Sequence, residues 1–204
     1  MAPSVDTYAL GPTQTNCYVV SAGPDAEEVV VIDPGYEIAE PEVKVAAILV
    51  THCHWDHLGG IAPLAAATRA PVYMSEREAP VLEDPAAFYP GQQIPLYRAD
   101  VRLEGGDTVE AAGLTFDVVD VPGHSPGHIA FATDGMLFSG DVLFAGSVGR
   151  TDLPFADWDT LVDSIRVLLD RFPPETVVYP GHGPPTTLGT ERARNPFLAE
   201  LRAS

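Results

Sequence analysis

The run LVTHCHWDHLGG, Leu49 to Gly60, sets the tightest limit on what this chain can fold into. Three of its six histidines and one aspartate fall within the six consecutive positions His52 to His57. Core packing does not select for such a density of imidazoles, whereas metal ligation does. The cluster follows Ala46–Thr51, an unbroken apolar stretch that reads as a buried strand. Side chains alternate faces in extended chain, so His52, His54 and Asp56 are expected on one side and Cys53 and Trp55 on the other. His57 follows where the chain turns toward a helix expected over Gly59–Thr68. Cys53 is a good soft ligand in principle, but it falls on the wrong face and reads as a small residue packed behind the site.

Four ligands on one short segment do not surround two ions, so further donors must come from distant loops. The remaining histidines are His124, His128 and His182. VPGHSPGH (Val121–His128) and YPGHGPP (Tyr179–Pro185) are Pro/Gly-rich stretches, each directly after an expected strand. Functional residues concentrate in such loops. FSGDVLF (Phe138–Phe144) places Asp141 after a glycine that permits a sharp turn, and a carboxylate there can bridge two cations with its two oxygens.

Short β-branched runs bounded by Gly, Pro or Asp predict strands at Thr7–Leu10, Cys17–Val20, Val29–Ile32, Ala46–Thr51, Leu114–Val121, Ile129–Thr133, Met136–Ser139 and Thr176–Tyr179. Asp134–Gly135 is expected to close a hairpin. The strongest helix signal covers Asp157–Phe172, where Trp158, Leu161, Val162, Ile165, Leu168, Leu169 and Phe172 form one core stripe. Asp157 is its expected N-cap and Pro173–Pro174 its stop. A further helix is expected over Glu191–Leu201. The five-residue Pro/Gly punctuation of Pro80–Arg98 reads as a surface excursion bordering the site. Strands mixed with helices in each half of 204 residues predict one α/β layered domain over 1–204.

Charge narrows the partners. Eleven basic against 29 acidic side chains give a net charge of −18. Such a surface repels phosphate backbones, so no nucleic acid is expected. Bound cations still reverse the potential locally, which leaves room for a small anionic substrate. No apolar run approaches the ~18 residues that span a bilayer, and the N-terminus lacks the basic start and apolar block of a secretory signal. The two cysteines are too few for a disulfide scaffold. A cytoplasmic protein with reduced thiols and no membrane association is therefore expected.

The ordered pattern T-H-x-H-x-D-H at Thr51–His57, G-H at Gly123–His124, G-D at Gly140–Asp141 and G-H at Gly181–His182 resembles the metallo-β-lactamase superfamily. The resemblance implies a four-layer αβ/βα sandwich with two divalent metal ions per chain. Zinc is the first expectation, and iron or manganese suit the same donors. It further implies that His52, His54 and His124 hold one ion, that Asp56, His57 and His182 hold the other, and that Asp141 bridges them. His128 is left over and reads as a supporting residue or a substrate contact. Asp33 and Thr51 read as turn formers or supports for the ligands.

Within the superfamily, an aspartate at position 141 departs from the exported zinc β-lactamases, which use a cysteine at the corresponding place. GSVGRTDLPFADWDTLVDSI (Gly146–Ile165) and PGHGPPTTLGTERARNPFL (Pro180–Leu198) look like the short glyoxalase II-like hydrolases. The resemblance implies hydrolysis of a small-molecule thioester of the hydroxyacylglutathione type by metal-activated water, with Asp56 as the catalytic carboxylate. Arg150 reads either as the partner of Asp152 or as a substrate-binding residue for a carboxylate. Tyr89, Tyr97 and Phe144 are candidate pocket residues. GRTD also occurs in the persulfide dioxygenases of the superfamily, so the alternative is a mononuclear-iron dioxygenase using His52 or His54, His124 and Asp141. A lactone or other ester hydrolase on the same fold is a further alternative.

Overall fold

A computed structural model describes residues 3–38 and 42–199. Six strands build the first sheet in sequence order: β1 (Ser4–Leu10), β2 (Thr15–Ser21), β3 (Glu28–Ile32), β4 (Lys44–Val50), β5 (Val72–Ser75) and β6 (Val101–Leu103). β1–β3 are antiparallel neighbours, and β3 to β6 run parallel. The second sheet contains β7 (Thr108–Ala111), β8 (Leu114–Asp120), β9 (Ile129–Thr133) and β10 (Met136–Gly140). After a two-stranded ribbon, β11 (Leu143–Phe144) and β12 (Ser147–Val148), it is completed by β13 (Val177–Pro180) and β14 (Thr186–Thr187), in the order β14-β13-β10-β9-β8-β7.

Alternation within strands divides the core into three slabs. Val30, Ile32, Ala47 and Leu49 face Phe116, Val118, Phe131 and Phe138 between the sheets. Their chain neighbours Val29, Val31, Ile48 and Val50 face outward, against Leu58, Ile61, Leu64 and Leu82. On the far side, Val119, Ala130, Leu137 and Val178 meet Leu161, Ile165 and Leu168. The inner strands of both sheets are thus apolar on both faces, because helices cover each outer surface, while the edge strands β1 and β7 are largely exposed. Each fully buried aliphatic or aromatic side chain contributes roughly 1.5–3 kcal/mol. The result is the four-layer αβ/βα sandwich that the motif pattern implied.

The helix of the outer layer on the second sheet begins one residue later than expected and ends one earlier, at Trp158–Arg171. Asp157 caps it by accepting the Thr160 N–H at 2.8 Å and the Thr160 hydroxyl at 2.6 Å. Phe172, before Pro173, is extended and stops it. Trp158 departs from the expected core stripe: it is 41% exposed and its ring lies tilted against Phe197, centroids 6.5 Å apart. Asp157→Ala is expected to cost about 1 kcal/mol through loss of the cap. The check is the urea-unfolding midpoint, which an irrelevant cap would leave unmoved.

Other expectations are corrected in detail. The helix expected over Gly59–Thr68 starts two residues later, at Ile61, and ends at Thr68 as expected; a separate helical turn, Trp55–Leu58, precedes it. Glu191–Leu201 is not one helix: Leu188–Arg194 is helical, Asn195 is extended ahead of Pro196, and a single 3-10 turn follows over Pro196–Leu198. The end of that range lies outside the described residues. The excursion Pro80–Arg98 starts within one short helix, Ala79–Glu83, passes through another, Pro85–Phe88, and continues as irregular chain. Among the described residues no helix is long and apolar enough to cross a membrane.

Candidate metal centre and its cavity

The carboxyl ends of β4, β10 and β13 converge at one edge of the paired sheets, the place where open α/β sheets present their ligand sites. β4 stops at Val50, and the chain stays extended only through His54 (φ −67, ψ 143) before the helical turn Trp55–Leu58. The strand alternation expected from His52 to Asp56 therefore does not hold. Asp56 and His57 are carried by a helical turn. Cys53 and Trp55 are not turned away either, since both line the cavity beside the cluster. A hydrogen bond from Ile129 N to Thr51 O, 3.0 Å, joins the two sheets directly behind the cluster.

The loop that carries His182 is strapped to the first sheet. Asn16 N donates to Gly181 O at 2.7 Å, and Asn16 Nδ2 donates to Pro180 O at 2.9 Å and Gly183 O at 2.8 Å. The Tyr18 hydroxyl adds a bond to Pro180 O. Gly181 N donates to Gly140 O at 2.8 Å, which ties the Asp141 and His182 loops together. Gly140 sits at φ +49, the left-handed region, with no room for a side chain against Thr51 Oγ1 and the His128 ring.

Two donor triads result. One nitrogen each of His52, His54 and His124 forms the first, and donor atoms of Asp56, His57 and His182 form the second; within each triad they lie within 4.8 Å of one another. Asp141 stands between them. Its Oδ2 is 3.4 Å from His124 Nε2 and 3.4 Å from His182 Nε2, and its Oδ1 is 3.5 Å from His57 Nε2. A third grouping, Asp33 with His52 and His57, shares members with both triads. Asp33 is better used as a support: it accepts the Thr51 N–H at 2.8 Å and the Thr51 hydroxyl at 2.7 Å.

Hydrogen bonds fix the tautomers, and with them the free lone pairs. The Thr51 hydroxyl spends its proton on Asp33, so it accepts from His52 Nδ1–H at 3.0 Å. His52 Nε2 is left as a buried lone pair without a partner. Likewise His124 Nδ1 faces the Arg150 carbonyl at 2.8 Å and must donate, which aims the Nε2 lone pair at His54 Nδ1, 2.7 Å away. His57 Nδ1 faces Asp33 Oδ2 at 3.1 Å, while His57 Nε2 and Asp141 Oδ1 are buried without hydrogen-bond partners. Buried polar atoms are almost always satisfied, so this set of orphans, all converging, fits bound cations.

His128 resolves differently. Its Nδ1 donates to Ile129 O at 3.1 Å, its Nε2 accepts the Asp141 N–H at 3.1 Å, and its ring stacks on His52 at 4.5 Å and 12°. Both nitrogens are spent, and the residue braces Asp141 and His52 instead of offering a lone pair.

Burial and charge oppose one another across the site. Burial, aided by its histidine neighbours, pushes His52 well below the usual imidazole range, and burial with the neighbouring His124 takes His54 down to about 4. For His57 and His182 burial also pushes down, but carboxylates win. Asp141 and Asp33 hold His57 up, and Asp141 and Asp56 raise His182 to about 10. Asp56 stays ionised at about 2, because His182, His57 and the Thr15 hydroxyl, 2.8 Å away, outweigh its burial.

Sequence reasoning missed Thr15 and Glu78. Glu78 is buried, accepts the Cys53 N–H at 2.5 Å and the Gly127 N–H at 2.8 Å, and so clamps the His52–His54 and His124–His128 segments together. Neither residue lies in a recognisable motif; a buried-glutamate signal at Glu78 is invisible in a charged stretch, Glu76-Arg77-Glu78. The cavity above the triads has a volume of about 510 Å³ and includes Tyr89, Phe88, Trp55, Phe155, Arg77 and Arg150 in its wall. Tyr97 instead bonds Asp100 at 3.1 Å, and Phe144 packs edgewise near the His182 ring. Arg150 makes the expected pair, a two-pronged bond to Asp152 at 2.7 Å on each arm, and borders the cavity as well.

Gly181 offers a sharp test of the construction, because a Cβ there would overlap Asp141 Oδ1 and crowd the His57 ring. Gly181→Ala is expected to lower metal affinity about 10–100-fold by displacing those donors. Metal titration checks it, and unchanged affinity would show that the close approach is unimportant.

The family model of the metallo-beta-lactamase superfamily matches residues 10–182. A Haemophilus influenzae protein named hydroxyacylglutathione hydrolase GloC is 33% identical, over 96% of this chain and 98% of its own. A solved structure described as the di-iron-bound form of TTHA1623 is 46% identical with a TM-score of 0.80, covering 95% of this chain and 100% of that one. The structure of BLEG-1, described as a B3 metallo-beta-lactamase, is 36% identical with a TM-score of 0.86, covering 96% and 100%.

Proposed function

This chain belongs to the metallo-beta-lactamase superfamily and is a metal-dependent hydrolase of that superfamily, and on that footing we propose that it cleaves a small thioester of the hydroxyacylglutathione type. The observation that carries the reading is Asp141, placed between two complete donor triads at the floor of the cavity. His52, His54 and His124 would hold one divalent ion, Asp56, His57 and His182 the other, with Asp141 shared. When bound, such a pair supplies Lewis acidity and lowers the pKa of water toward about 7. The Haemophilus relative's name supports the thioester class, and the di-iron neighbour supports two ions.

The chain's own side chains then do the rest. Asp56 is held ionised, with the Thr15 hydroxyl and His182 fixing Oδ2. It is therefore poised to orient the attacking water as a hydrogen-bond acceptor. His128 keeps the Asp141 main chain in place through the bond to Asp141 N–H. Cys53 is no nucleophile, because burial and the Glu78 carboxylate push its thiol up and keep it neutral. Trp55, Phe88 and Tyr89 give an apolar wall that excludes water around the acyl and thiol parts.

Metal analysis paired with assays of thioester hydrolysis and oxygen uptake tests the proposal. Two metal equivalents per chain, thioester cleavage and no oxygen consumption are expected. One iron per chain with oxygen uptake on a persulfide would overturn it in favour of the dioxygenase; cleavage of lactones or β-lactams in preference to thioesters would reassign the substrate.

A further inference from the structure

The cavity wall holds two guanidinium groups, Arg77 and Arg150, and no lysine among the described residues. Arg150 is paired with Asp152 through Nε and Nη2. Arg77, just beyond β5, is exposed on the wall and has neither hydrogen bond nor ion pair among the described residues. Its acidic neighbours are occupied elsewhere. Glu78 turns inward to accept two main-chain N–H groups, and Glu76 lies 4.0 Å from Arg102. Among the described residues Lys44, Arg102, Arg166, Arg171 and Arg192 are ion-paired, and the other arginines without an ion pair, Arg69, Arg98 and Arg194, do not border the cavity.

The root of Arg77 is fixed beside the ligand loop. Gly127 leaves so little space that a Cβ there would lie 2.6 Å from Arg77 Cβ. Arg77 therefore abuts Gly127, three residues along the loop from His124, and Phe88 and Tyr89 line the same cavity. In a chain of net charge −18, an anion is repelled almost everywhere, and one uncommitted planar cation at the mouth of a cavity is a local exception. The fork of a guanidinium matches a carboxylate, and its charge-assisted bonds discriminate strongly between anionic and neutral partners.

We infer that Arg77 is a specificity residue that binds a carboxylate on the thiol portion of the substrate, so that the substrate class is an anionic thioester. This rests on the thioester reading above, and the experiment separates the two. Arg77→Ala and Arg77→Lys would be compared on a hydroxyacyl thioester of glutathione and on the same acyl group carried by N-acetylcysteamine, which has no carboxylate. The expected result for Arg77→Ala is a KM about tenfold higher for the glutathione thioester, with kcat and the neutral thioester little affected. Lysine should restore part of the loss. Equal effects on both substrates, or none, would overturn the inference. In parallel, calorimetry with S-hexylglutathione on the metal-loaded protein reads binding without turnover. About tenfold weaker binding by Arg77→Ala supports the assignment, while equal affinity, or no binding by the parent protein, overturns it. A parent protein that cleaves neither thioester sinks the thioesterase reading, and the calorimetry still decides Arg77.

Discussion

Asp141→Ala is expected to reduce turnover by about three orders of magnitude or more while leaving the sandwich folded. The side chain stands between the two triads, 3.4 Å from His124 and His182 and 3.5 Å from His57. Its own contribution to the fold is small, because the hydrogen bond that anchors this position, Asp141 N–H to His128, belongs to the main chain and survives the substitution. The hydrophobic slabs also lie behind it, untouched. Circular dichroism and thermal melting should therefore change little, while kcat collapses and the metal content falls below two per chain. Asp141→Asn is the sharper variant, since it keeps shape and removes charge. Full activity in either variant would refute the shared-carboxylate role.

Withdrawing the metals by dialysis against a chelator is expected to abolish activity, and adding back zinc, iron or manganese should restore it. The proton count makes this quantitative. In the metal-free chain, His57 and His182 are both held up by neighbouring carboxylates, His182 to about 10, so both carry an extra proton at neutral pH. Ligation needs their lone pairs, so metal uptake near pH 7.5 should release about two protons. Calorimetry in buffers of different ionisation enthalpy measures that number; zero release would show that the two imidazoles are already neutral. The stability sign follows from the same shifts. A raised folded-state pKa contributes stability that is fully present below 6.5 and is lost as the pH climbs toward about 10. The metal-free protein should thus weaken over that window, and the gap to the metal-loaded protein should widen.

Much of the site could be read from residue types because its ligands come in short runs with glycine beside them. Gly123–His124, Gly140–Asp141 and Gly181–His182 each follow a strand, and all three end at one edge. The hairpin at Asp134–Gly135 and the capped helix at Trp158–Arg171 were equally plain, since local chemistry alone determines them. What stayed hidden depends on partners far along the chain. Alternation misplaced Asp56, Cys53 and Trp55, because nothing local announces that Trp55–Leu58 winds into a helical turn against the Pro34–Tyr36 segment, where Gly60 N reaches Pro34 O. The strands at Val72–Ser75 and Val101–Leu103 are too short for a period to register. Glu78 and Thr15 act only through main-chain and carboxylate partners that the fold brings in.

The straps from Asn16 and Tyr18 to the Pro180–Gly183 turn span 162 to 167 positions of sequence. During synthesis on a ribosome, His52, His54, Asp56 and His57 emerge together, and His182 follows on the order of ten seconds later at typical elongation rates. Through that interval the nascent chain displays an incomplete cluster that no second sheet yet encloses. Any ion captured then is bound by a fragment with the wrong coordination. An ion that stayed bound through that interval would tie the metal choice of the finished protein to the order of its synthesis as well as to equilibrium affinity. Synthesis in cell-free extracts supplied with metal during translation, or only after release, would yield different metal contents from one and the same sequence.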